Sequence, residues 1–187
     1  KSLLQFEDSI TSEIEAELLL GKEFNFEVAR TAALFGDLET VAKEVTNQIG
    51  SAAEFSRMNV IQQDALAKTF GLQRDELADI LVQQQNLNDT RGAYLSLGEK
   101  TIEQLKKSNN IESSVFNRIE NNTATAQDYF KVLKDNQSIL EAQGQSLIQI
   151  LGDESLASLQ AQDAQSKFND SLEKQKKYFL RLLMEVF

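Results

Sequence analysis

Clustered carboxylates are the only catalytic material in this 187-residue chain. Asp75, Glu76 and Asp79 gather at one predicted helix start, and Glu13, Glu15 and Glu17 crowd the first helix. Acid–base work of the glycosidase kind needs two carboxylates facing each other across a cleft, one with a raised pKa. Asp75 and Glu76 fall instead in a helix's first turn, where negative charge is favoured by the exposed N–H groups. That structural role accounts for them, and catalysis is set aside.

Other chemistries lack their residues. With no histidine there is no ordinary general base near neutral pH and no imidazole ligand for a transition metal. With no cysteine there is no disulfide framework and no thiolate. Asn86-Leu-Asn-Asp89 offers oxygen ligands, but the glycine and the twelfth-position glutamate of a calcium loop are missing. No glycine-rich phosphate loop is present. We therefore expect no enzyme activity, no cofactor and no metal. Lys174-Gln-Lys-Lys177 reads as a solvated helix face. The net charge of −10 is uneven: residues 1–89 carry 16 acids against 7 bases, and residues 90–187 carry 13 against 12. Such a surface argues against nucleic-acid binding. No apolar run reaches the roughly 20 residues that cross a bilayer, and no signal peptide is evident.

The elements that position these residues are helical. There is no proline, and only 8 glycines, in a chain rich in Gln, Glu, Leu, Ala and Lys, which predicts an all-α fold. A first amphipathic helix over 1–21 has the stripe Leu3, Phe6, Ile10, Ile14 and Leu18. Asn25 reads as the cap of a second helix, Phe26–Phe35. Then comes a densely punctuated block. Gly36, Gly50 and Gly71 each stop a helix, because glycine takes the left-handed conformation without a Cβ penalty. Asp37, Ser51 and Asn59 restart it, and Ser51…Glu54 and Asn59…Gln62 fit capping boxes. Met58 reads as the apolar staple ahead of the second box. Such short helices and loops predict a small orthogonal domain over 22–86. Its expected core is Phe35, Val41, Val45, Ile49, Phe55, Ile61, Leu66, Phe70 and Leu77, with Phe24 and Phe26 alongside.

Gln83 to Ala93 is polar and ends on a glycine, so it reads as the domain's exit. Residues 87–125 read as a linker with weak helices. Thr125 caps a helix through about Gln143, Gly144–Gly152 continues or kinks it, and Asp153 caps a last helix running to the end. The region 126–187 thus reads as a long arm, either a hairpin or a coiled coil. Phe168, Leu172, Gln175, Phe179, Leu182 and Val186 alternate spacings of four and three as a heptad seam for a partner helix. Leu133, Leu140 and Leu147 also recur at seven. The Lys1 start and the apolar, uncapped end over 179–187 suggest a piece of a longer polypeptide.

Gly36-Asp-Leu, Val41-Ala-Lys-Glu-Val, Gln48-Ile-Gly-Ser51, Glu54-Phe55, Met58-Asn-Val-Ile-Gln62, Ala65-Leu-Ala67, Phe70-Gly71 and Asp75-Glu-Leu-Ala78 together resemble a recurring helical module of bacteriophage tail tape-measure proteins. The resemblance spans roughly residues 13–86, and the remainder fits only in general style. It implies a virion structural role: a long helical polypeptide, made in the host cytoplasm, that sets tail length and occupies the tail tube. It further implies homo-oligomers, commonly trimers, and contact with tail-tube or tail-hub proteins. As a single helix, 187 residues would span only about 280 Å, so this chain would be one segment of such a protein. A different tail or capsid structural or cargo protein, or a helical adaptor binding partner helices, are the alternative readings.

Overall fold

Backbone punctuation is local chemistry, and it works where the spacing predicts. In the computed structural model, which describes residues 3–108 and 111–186 and the side chains of 8–108, 111–178 and 181, the described residues form twelve α-helices and no strand. The fold is all-α. Gly21, Gly36, Gly50 and Gly71 all have positive φ at helix ends. The Asp37 side chain accepts from Thr40 N–H, and both capping boxes form, Ser51 with Glu54 and Asn59 with Gln62. Thr125 makes a third box with Asp128. The sequence reading missed a fourth, Ser146 with Gln149, although its Ser-x-x-Gln pattern is plain.

The chain divides into two units, residues 1–85 and 86–187. The first holds α1 (Leu3–Leu20), α2 (Glu27–Phe35), α3 (Leu38–Ile49), α4 (Ala52–Arg57), α5 (Val60–Thr69) and the start of α6 (Arg74–Ser96). Its core gathers Phe26, Val41, Val45, Phe55, Leu66, Phe70, Leu77 and Leu81, with Ile49, Phe24 and Met58 half-buried against it. The Phe26 ring meets Phe70 edge-on at 5.1 Å and stacks on Phe24 at 4.9 Å, arrangements that favour aromatic pairs beyond simple burial.

Two expected core residues are outside. Phe35 is 85% exposed and Ile61 63% exposed. In α2 the buried arc is Ala29, Ala32 and Ala33, and Phe35, two residues on, lies about half a turn round the axis. In α5 the inward positions include Leu66 and Thr69, and Ile61, five residues before Leu66, sits about 140° away.

The first helix is no separate arm. It runs antiparallel to α5, joined at one end by the Ser9 hydroxyl donating to the Thr69 carbonyl and at the other by Gln62 Nε2 donating to the Leu19 carbonyl at 3.0 Å. Its apolar stripe turns outward. Ser9, Glu13 and Ala16 are buried, whereas Ile10, Ile14 and Leu18 of the apolar stripe are exposed. Small and polar residues turn inward because Glu13 has partners there.

The second unit corrects the reading of 87–125 as a linker. Its helices are the end of α6, α7 (Glu99–Lys107), α8 (Ser113–Glu120), α9 (Ala126–Asp135), α10 (Gln137–Ala142), α11 (Leu147–Leu151) and α12 (Asp153–Val186). Leu105, Ile111, Val115 and Phe116 are buried in one core with Tyr94, Phe130, Leu133, Leu140, Leu147 and Leu159. The polar run 83–93 is helix within α6, and the boundary between the two units falls inside it, between Gln85 and Asn86. Its amides and hydroxyls bond inward: Asn86 Nδ2 donates to Ser158 Oγ at 3.0 Å, and Thr90 Oγ1 to the Asn86 carbonyl at 2.6 Å. Leu133, Leu140 and Leu147 stand on three different helices, so their spacing of seven is not a coiled-coil heptad. The helix expected to continue to Gln143 breaks at Asn136, which is fully buried and donates from Nδ2 to the Val132 carbonyl at 2.9 Å. Asp153 is the first residue of α12 and not its cap, Gly152 standing just before it.

Candidate functional site

The two acidic clusters resolve into structural duties. Glu76 accepts the Gln73 N–H at 2.8 Å, closing the start of α6, and Asp75 lies 3.2 Å from Arg74 Nε in solvent. On α1 the three glutamates do three different things. Glu13 accepts the Phe26 N–H at 2.9 Å and pairs with Arg30. Glu17 accepts the Phe24 N–H at 2.7 Å. Glu15 is exposed. Because α2 has no side-chain cap of its own, the carboxylates of α1 supply acceptors for the free donors at its start. Asn25, expected to cap α2, makes only a 3.3 Å bond to Glu27 N–H, while its own backbone is held by the Gln48 amide at 2.7 and 2.5 Å.

Beside this junction is a cleft of about 330 Å³ whose lining includes Asp8, Ser12, Arg30, Lys68, Thr69 and Gly71. Burial lowers the Arg30 pKa from its ordinary value, and its side chain is 11% exposed, like that of Glu13. Arg30 thus serves the α1–α2 ion pair. Among the described residues, no group of three or more His, Cys, Asp or Glu is arranged to hold a metal ion. No helix among them is long and apolar enough to cross a membrane.

What remains are two apolar faces in solvent. After Leu159, α12 buries no described residue, and from Ala164 to Tyr178 every one is exposed. Of the seam, Phe168 is 59% and Leu172 46% exposed. Phe179, Leu182 and Val186 lie outside the described side chains. The second face is on α1, where Ile14 and Leu18 are 60% and 83% exposed.

Comparison with protein-family models, curated proteins and solved structures returns no match.

The seam of α12 was legible as a heptad pattern. The face of α1 was legible as a stripe, but periodicity marks that a stripe exists and not which way it turns.

Proposed function

We propose that this chain is a structural segment of a bacteriophage tail tape-measure protein, a virion component rather than an enzyme. In this reading it is one folded stretch of a longer helical polypeptide that sets tail length, occupies the tail tube and contacts the tail-tip hub. It works as a homo-oligomer, with a trimer favoured, and makes no direct contact with nucleic acid. The family assignment itself rests on the residue pattern of 13–86. The observation that carries the structural role is the exposed stretch Ala164–Tyr178 of α12, whose Phe168 and Leu172 fit a helix that another helix covers. The carboxylates nearest to a catalytic arrangement are engaged in capping and ion pairing, which leaves binding as the work of the surface.

The same exposed helix suits the alternative of an adaptor for partner helices. Light scattering on the purified chain separates the two: a trimer favours the tape-measure reading, and a monomer at every concentration counts against it. The encoding reading frame gives the second test. It should be several hundred codons or more and lie between tail-tube and tail-tip genes; a short frame among unrelated genes sinks the assignment.

A further inference from the structure

We infer that the exposed apolar stripe of α1 is the docking surface for the second half of α12 from another copy of this chain. The inference rests on reading α12 as an interaction helix and names what that helix packs against.

Three observations carry it. First, Ile10, Ile14 and Leu18 are exposed at successive steps of four along α1, so they share one face. That face has a neighbour: Leu18 and Ile61 each adjoin a residue of the Leu19–Gln62 hydrogen bond, and Ile61 is itself 63% exposed. The folded unit had inward-facing uses for Ser9, Glu13 and Ala16 and left the larger side chains outside.

Second, every described residue of α12 from Ala164 to Tyr178 is exposed. An isolated helix of that length is marginal in water, and burying Phe168 and Leu172 against a partner would stabilise it.

Third, the two helices differ in charge. On α1, Asp8 and Glu15 are exposed, Glu13 and Glu17 being engaged by Arg30 and the Phe26 and Phe24 N–H groups, and the helix contains no base. Along the exposed stretch Ala164–Tyr178 of α12, Lys167, Lys174, Lys176 and Lys177 outnumber Asp170 and Glu173, the last paired with Lys176. A second α1 would meet the first with like charge, and so would two α12 ends. An α1 against an α12 brings acid to base, which orients the encounter and suppresses the alternatives. Because the two faces differ, the contact is heterologous: each copy keeps an unused face, so the assembly closes as a ring or swapped pair, or grows along a line.

Sedimentation velocity over a dilution series tests this on the full chain. Wild type should gain mass with concentration, and salt should weaken the association. Ile14→Asp with Leu18→Asp, and separately Leu172→Asp, should each weaken it by about 10- to 100-fold. At dilutions where wild type is monomeric, circular dichroism should show the helix content and melting of each variant equal to wild type, since all three positions are exposed. Asp8→Lys with Glu15→Lys should give monomers, and so should Lys174→Glu with Lys176→Glu and Lys177→Glu. Mixing these two charge variants should restore association. If the α1 variants assemble like wild type while Leu172→Asp does not, the partner of α12 is another α12: this inference fails and the interaction role of α12 survives. If no substitution on either helix changes the mass, both fail. A wild-type chain that stays monomeric at every concentration overturns the inference.

Discussion

The Glu13 carboxylate on α1 accepts the backbone N–H of Phe26, 2.9 Å away, at the start of α2. One side chain thereby caps a helix thirteen residues on, pairs with Arg30 and fixes which face of α1 turns inward.

Removing that carboxylate should cost more than an ordinary surface substitution. Glu13→Ala leaves the Arg30 cation buried without its carboxylate and the Phe26 N–H without its acceptor, and should lower stability by about 3 kcal/mol or more. Glu13→Gln retains an acceptor and should lose less. In the Arg30→Met background the cost of Glu13→Ala should shrink, as measured by urea unfolding. Equal losses in both backgrounds would refute the coupling.

Among the helix stops, Gly50 should be the least replaceable. Its φ of 109° and ψ of −156° lie in a region essentially restricted to glycine. An added Cβ would also stand 1.8 Å from a Glu54 carboxylate oxygen, the same oxygen that accepts the Ser51 N–H at 2.7 Å. Gly50→Ala should therefore destabilise by about 3 kcal/mol, combining backbone strain with loss of the cap. At Gly36 a Cβ meets nothing within 4 Å, and Gly36→Ala should cost about 1 kcal/mol for φ alone. Thermal melts of the two variants should keep that order.

The second unit should lose stability in acid. Burial pushes the Asp128 carboxyl up, but hydrogen bonds from Arg118 and Thr125 outweigh it and leave the pKa below the ordinary aspartate value. Hydrogen bonds from Lys134 and Lys167 lower that of Asp163 likewise. A carboxyl whose folded pKa is depressed stabilises the fold above its unfolded pKa and loses that contribution as pH falls through the folded value. Stability should hold from neutral pH to about pH 4 and then decline below it. Asp128→Asn with Asp163→Asn should flatten this decline. A profile with the same slope as wild type would sink the assignment.

Burial separates residues that sequence reading ranked the other way. Leu105, in the segment read as a linker, is fully buried, and Leu105→Ala should cost about 3 kcal/mol. Phe35→Ser, at a position expected in the core, should stay within about 0.5 kcal/mol of wild type. Denaturant midpoints of the two variants decide the matter directly.

The sequence by itself determined where the first helices stop and restart. Gly36, Gly50, Ser51…Glu54, Asn59…Gln62 and Thr125 act over a few neighbouring residues, so their effect is written in the local pattern. It also marked which positions form apolar stripes, and it named seven of the first core's buried residues: Phe26, Val41, Val45, Phe55, Leu66, Phe70 and Leu77. Which face of a helix is buried was decided only in the tertiary structure. The inward turn of α1 depends on Phe26 and Arg30, and the polar run of α6 stays helical and packed because Asn86 meets Ser158, 72 residues away. Leu105, Val115 and Phe116 belong to a core only once α9 to α12 stand around them. Burial depends on partners brought together from distant parts of the chain, and no local spacing contains that information. The exposed stripe of α1 is what that decision left on the surface.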